Sequence, residues 1–267
     1  MHLHDVLNEI DILKIKIAEY PKQTQGELEK DLEHFMVNYT YNSNAIEGST
    51  LTLAETRIAV IEGLTVDSKP VQDYLDAINH REAFYYIVAL AESCADLTAR
   101  EIKAIHSLVL ANHPDDKGIY RKQQVFISGT EYKPPSPLQI PSLIDDLLNN
   151  YNVDSRHMIE KAAEFHILFE RVHPFIDGNG RTGRLVMNLQ LLKEGFQPVD
   201  IKFKDRAKYI QALQTYDESN DPSAFTHLVA DYQLESLQNV VAILEEKQQV
   251  SQHSHTSVSS ASACSSI

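Results

Sequence analysis

The 267-residue chain is 43% hydrophobic and 23% charged, which fits one globular domain with a sizeable core, or one domain with a small extension, and excludes disorder throughout. Its formal charge of -14 argues against direct nucleic-acid binding over a broad surface, which needs clustered Lys and Arg, but leaves room for a small, locally basic nucleotide pocket. No apolar stretch approaches the roughly 20 residues of a bilayer span, no secretory leader is visible, and Cys94 and Cys264 lack metal-ligand spacing, so the expectation is a cytoplasmic protein without membrane contact.

Apolar residues recur at helical spacing in nearly every segment, as in Ala162, Phe165, Phe169 and Val172, or Phe225, Leu228 and Tyr232, and predict an all-α chain. In chain order, Thr52 reads as the N-cap of a helix from Leu53 to Glu62, with Gly63 as its stop. Pro70 opens a further helix toward Cys94, and Thr98 caps the next one. The stretch from Gly118 to Pro137 breaks the pattern. Gln124-Val-Phe-Ile-Ser128, a Gly129-Thr130 turn and Glu131-Tyr-Lys133 predict a short β-hairpin, ended by Pro134-Pro135 and lying on the helical body. A helix rich in Phe and Ala ends near His173, where Pro174 interrupts it, and a second helix runs through Leu192. Beyond Gln249 the sequence turns Ser-rich and reads as a disordered tail.

The run His173-Pro-Phe-Ile-Asp-Gly-Asn-Gly-Arg-Thr-Gly-Arg184 joins those two helices and carries the chemistry. Gly178 and Gly180 let the backbone approach a ligand, and free N–H groups at the start of the second helix suit a phosphate. Arg181 and Arg184, three residues apart, share a helix face and offer planar donors to more than one phosphate. Asp177 beside such phosphates calls for a hard cation between them, Mg2+ with Mn2+ as the alternative. His173, at a helix C-terminus whose dipole favours its protonated form, is the candidate base for a hydroxyl proton. A lone Asp-Gly-Asn-Gly would be an ordinary turn; the flanking His, Asp and two Arg make it a site. His166, one heptad before His173, is read as a structural histidine.

Residues 173 to 184 resemble the signature of the Fic family, His-Pro-Phe, any residue, Asp or Glu, Gly-Asn-Gly-Arg, two residues, Arg, and match it at every fixed position. The resemblance extends through Gly118-Ile-Tyr-Arg121 and the hairpin, and on to Lys208-Tyr209 and Ala212-Leu213, covering roughly residues 30 to 235. It implies a helical fold with a hairpin flap and transfer of AMP from ATP, as co-substrate, to a Tyr, Thr or Ser hydroxyl of a target protein, self-modification included. On this resemblance His173 takes the hydroxyl proton and Asp177 holds the cation. Gly178, Asn179 and Gly180 line the phosphate cradle, and Arg181 and Arg184 meet the outer phosphates. Asn188, Tyr209 and Tyr216 are candidates for the base pocket. Val125, Phe126, Ile127 and Ser128 form the flap edge that would dock the target by strand addition. The chain then divides into an N-terminal helical region (1–95), a catalytic core (96–235), the end of a C-terminal helix (236–250) and the tail (251–267).

Ser43-Asn-Ala-Ile-Glu47-Gly48 resembles the inhibitory motif of one Fic subgroup. The resemblance implies that Glu47 pairs with Arg184 and excludes the γ-phosphate, since a carboxylate competes with phosphate for the same guanidinium donors. Holding about 99 molecules in 100 in that state takes only about 2.7 kcal/mol. The plain alternative is that Glu47-Gly48 simply ends a helix, with Gly48 as its C-cap. Members with an N-terminal brake often form dimers, so a homodimer is a further expectation, as is removal of AMP assisted by Glu47. Transfer of UMP, a phosphoryl group or phosphocholine, and nucleotide sensing without turnover, are the rival functions.

Overall fold

The structure, a computed structural model, describes residues 2–93, 96–127 and 130–261, with side chains through 248. Helices α1 (Leu3–Glu19) and α2 (Gln25–Ile46) open the chain. Short α3 (Leu53–Arg57), α4 (Val71–Ala91) and α5 (Ala99–Val109) follow. Then come α6 (Ile140–Val153), α7 (Met158–Val172), α8 (Asn179–Lys193), α9 (Arg206–Ser219) and α10 (Ser223–Ala261). No strand occurs among the described residues, so the all-α expectation holds.

Local signals set the ends. Thr24 and Glu27 form a reciprocal capping box that starts α2, and Thr52 with Glu55 does the same for α3, satisfying N–H groups the helix leaves unpaired. The helix expected through Glu62 is present, but its last turn, Ile58–Glu62, is wound as a π-helix and stops at Gly63, whose φ is +68°. Thr98 caps α5 as expected.

Two apolar clusters share α7 and α8. On one side Phe165, Phe169, Leu185 and Leu189 meet Met36, Phe84, Ile105 and Ile144 from α2, α4, α5 and α6. On the other Ile159, Ile167, Met187 and Leu191 meet Val6, Ile10, Phe225 and Val229 from α1 and α10. Residues 181–190 of α8 are buried without a break, so the helix that begins at the glycine loop is the axis of the molecule. The N-terminal region is bound into the same body: Lys16 pairs with Glu245 at 2.7 Å and Gln238 donates to Glu9.

Two expectations need correction. Among the described residues the 124–137 stretch forms no paired strands. A lone hairpin gains too little to hold itself, and here side chains take its carbonyls instead: Arg121 donates to Gln123 O and Pro135 O, and Gln124 to Pro134 O. Its Ser128 and Gly129 lie outside the described residues. The tail expected to be disordered from 251 continues as helix to Ala261, because no Gly or Pro interrupts the chain after Pro222; 262–267 lie outside the described residues.

Candidate active site

Between α7, α8, α9 and the end of α2 lies a cavity of about 420 Å³, with the flap across its mouth. The motif loop forms one end. Here α7 stops because His173 takes a left-handed conformation, φ +47°, and Gly178 takes another at +73° to start α8. A Cβ at Gly178 would press on Val109, Leu110 and His106, so only glycine gives both the backbone and the room.

The loop is fixed from three directions. Asn179 accepts from Phe175 N–H and donates to Phe175 O, at 2.9 and 3.0 Å. His106 accepts from Gly118 N–H at Nδ1 and therefore donates from Nε2 to Asp177 O at 3.0 Å, while its ring stacks on Phe175 at 3.6 Å. Buried Arg121 donates from Nε to His173 O and from its terminal nitrogens to the flap. Burial depresses the His106 pKa to about 4, so the ring is neutral, as its two bonds require.

His173 lines the cavity. Its Nδ1–H donates to Glu170 O at 3.3 Å, which leaves the Nε2 lone pair free. The dipole argument predicted a raised pKa; the structure reverses it. Burial is the largest influence and lowers the His173 pKa, with Arg121 adding to the effect, because desolvation penalises the cation more than the helix end favours it. A neutral imidazole with one free nitrogen is the form a base needs.

Glu47 reaches into the cavity at the loop. Its Oε1 accepts from Arg184 at 2.8 Å, and Arg184 also donates to Ser43 Oγ and Ser43 O. A Cβ at residue 180 would fall on the Glu47 carboxylate, so the carboxylate stands over Gly180, against the start of α8. The helix does end here, with Glu47 rather than Gly48 as its C-cap and Gly48 following at φ +104°, and the same Glu meets Arg184. Arg206 of α9 donates to Ile46 O at 2.7 Å and pins the last turn of α2.

Known proteins are similar to this chain in sequence and in fold. The Fic/DOC family pattern matches residues 96–191. The chain is 35% identical over 214 residues, 78% of its length and 49% of the relative's, to a protein of Nematostella vectensis named protein adenylyltransferase Fic. The chain carries a Fic/DOC-family domain. It spans about half the length of the curated relatives it matches. Its fold is similar to a Fic domain-containing signalling protein from Bacteroides thetaiotaomicron, at TM-score 0.82 and 24% identity over 90% of this chain and 97% of that one. Fic-1 of C. elegans, residues 134–508, also matches at TM-score 0.82, with 27% identity over 92% of this chain and 73% of that one.

Within this Fic fold Asp177, Gly178, Asn179 and Gly180 line the cavity with His173 and Tyr209. Arg181 and Arg184 lie beneath its floor: Arg181 is held by Asp76 at 2.9 Å and approached by Asp177, and Arg184 by Glu47. Phe126 and Ile127 line the mouth, whereas Val125 does not.

Asn188 and Tyr216 are corrections. Asn188 exchanges two hydrogen bonds with Val199 in the core, its amide spent on a loop no strand satisfies. Tyr216 packs against Arg171 behind the wall; Leu213 and Asp217, on neighbouring turns of α9, face the cavity. His166 is buried and meets the Tyr209 hydroxyl at 2.9 Å, in keeping with a structural role.

Several residues escaped the sequence reading. Arg171 pairs with Asp217, stands 4.0 Å over the Tyr132 ring, and so ties flap to wall with Thr130, which donates to Asp217. Glu170, Asp76, Arg121 and His106 also matter here. Their spacing from the motif is visible in the sequence, but their convergence is tertiary; Arg121 alone carried a hint, inside Gly118-Ile-Tyr-Arg121.

Proposed function

We propose that this chain transfers AMP from ATP to a Ser, Thr or Tyr hydroxyl of a protein, with its own side chains among the acceptors, and that Glu47 holds it inactive. One observation carries the reading. A single cavity joins an imidazole with a free Nε2, a glycine-lined helix start, and a carboxylate seated there on an arginine. The relatives named protein adenylyltransferase support the choice of donor.

In this reading the phosphates of ATP lie against the N–H groups of Gly178 to Gly180. The acceptor oxygen attacks the α-phosphorus, its proton passes to His173 Nε2, and the bond from the α-phosphorus to the bridging oxygen breaks, so pyrophosphate leaves with the electron pair. Held geometry supplies roughly 7–11 kcal/mol of such a reaction and the base about 100- to 10,000-fold, so the loop that positions His173 matters more than its proton affinity. Glu47 opposes this by occupying Arg184 and the space over Gly180 that an outer phosphate needs.

Asp177 is the residue that would hold Mg2+ or Mn2+. It is exposed at the cavity edge and commits Oδ1 to Gly178 N–H. Among the described residues no cluster of three acidic, His or Cys side chains surrounds it, so phosphate oxygens and water would have to fill the rest of such an ion's shell. When bound, the ion supplies neutralisation of phosphate charge.

The test compares the parent, Glu47→Gly and Glu47→Gly/His173→Ala with ATP labelled at the α or the γ position. Label from the α position on protein in Glu47→Gly, far above the parent and absent in the double variant, is expected. Label from the γ position instead, or from another donor, would overturn AMP transfer. A Glu47→Gly chain that binds ATP and never transfers it would favour a sensing role.

A further inference from the structure

The cavity is lined by a carboxyl group to which the reaction gives no task and which, unlike Asp217 on Arg171, is in no ion pair among the described residues. Glu170 sits on α7 and lines the cavity between two unlike ends. Toward the loop are His173 and the glycines; toward the other end Ile167, Ile210, Leu213 and Tyr132 form an apolar and aromatic wall. Glu170 lies three positions after Ile167, about 4.5 Å along α7 by the helix rise, and three before His173, just past the end of α7. A nucleotide with its phosphates on the glycine loop and its base on the apolar wall has its sugar at that level.

The chemistry of Glu170 fits a sugar hydroxyl. Its Oε1 is turned inward beside Gly183 and the His166 ring, without surface of its own or a hydrogen-bond partner among the described residues, so the carboxyl group meets the cavity it lines through its other oxygen. Glycine at 183 leaves α8 room for that inward oxygen, since a Cβ there would lie 2.6 Å from Oε1 and 3.0 Å from the His166 ring. Burial, and then the charge of Glu47, raise the Glu170 pKa to about 8, against the pull of Arg184. Near neutral pH the group is therefore an uncharged carboxylic acid, able to donate and to accept, and it adds no negative charge beside a triphosphate.

We propose that Glu170 reads the ribose: its carboxyl hydrogen-bonds a 2′- or 3′-hydroxyl of the nucleotide and selects ribonucleotides over deoxyribonucleotides. The inference rests on the nucleotide reading of the cavity and is indifferent to which base is bound. A site built around a hydroxyl leaves its own polar group unpaired when the ligand lacks one, which is why discrimination of this kind is strong.

The experiment measures, in the Glu47→Gly background, the affinities of ATP, 2′-deoxy-ATP and 3′-deoxy-ATP by calorimetry for chains with Glu170, Glu170→Gln and Glu170→Leu, with a melting curve for each. Glu170→Ala takes the place of the leucine variant if that does not fold. With Glu170, ATP is expected to bind about ten-fold tighter than at least one deoxy analogue. The glutamine variant keeps most of that preference, and the leucine variant binds all three at the deoxy level. A leucine variant that melts like the parent and still discriminates overturns the proposal, as does a Glu170 chain that binds all three alike. UTP and its 2′-deoxy form separate the two readings. A site that takes UTP in place of ATP and keeps the ribose preference sinks the ATP donor and sustains Glu170; a site that takes ATP with no ribose preference does the reverse.

Discussion

The motif loop and the flap face each other across one cavity, yet they are built in opposite ways. From His173 to Gly180 the loop is held by two left-handed residues, by the paired bonds of Asn179 to Phe175, and by His106 and Arg121 from outside. The flap offers few such ties. Its anchors are the same Arg121, one glutamine, Arg171 over Tyr132 and the Thr130–Asp217 contact, and its Phe126 stands 80% exposed. The difference matches two demands. Groups that position a reacting centre must be rigid to a fraction of an ångström, whereas a surface that meets a partner can keep apolar area open for it. Arg121 belongs to both and lets the rigid side set the position of the other.

Four experiments would break or sharpen this contrast. The largest effect is expected at the loop's chemical residue: His173→Ala in the Glu47→Gly background should lower transfer about 100- to 10,000-fold, with an unchanged melting curve, as read by label from ATP. Next comes the shared anchor. Arg121→Leu strips buried carbonyls of the loop and flap of their donor at once, and should cost on the order of 3 kcal/mol in denaturant unfolding; a loss confined to activity would show that the flap hangs on something else. Third, Phe126→Ser should reduce labelling of a protein target about ten-fold, the loss of one buried aromatic contact at an interface, while calorimetry finds ATP binding as before. An equal loss of nucleotide binding would mean that flap and loop work as one unit.

The smallest effect is acid sensitivity of the loop's supports. Burial lowers the pKa of His106 to about 4 and that of His166 to about 3. A group whose folded pKa is depressed contributes stability that is present above its unfolded value of about 6.5 and lost as pH falls toward the folded one. Unfolding free energy should therefore decline from about pH 6.5 down to about pH 3, and His106→Gln should flatten the upper part of that decline. Transfer itself, which needs neutral His173, should keep its acid midpoint below 6.5, since burial lowers that pKa too.

What could be read from the sequence follows the same division. Helix starts at Thr52 and Thr98, the stop at Gly63 and the junction at Pro174 were legible because each depends on residues next to it. The loop was legible because its chemistry is packed into twelve consecutive positions. Strand pairing in the flap misled, since alternation there met no partner strand and side chains took the carbonyls. Asn188 and Tyr216 misled because a helix position gives a direction only when the axis is placed, and here a quarter-turn separates core from cavity. The His173 pKa was misjudged because the sequence displays the helix end but hides the burial. Glu170 stood in plain view three residues before the motif, yet nothing local marks a carboxyl that finds no partner.

Glu47 and Arg184 belong to one polypeptide, 137 positions apart. A contact closed within a chain has an effective concentration set by the fold, not by how many copies are made. Raising or lowering expression therefore leaves the fraction of paired molecules where it was. If the pairing restrains transfer as proposed, dosage or dilution would not lift it; an event at the end of α2, or a phosphate that competes for Arg184, would.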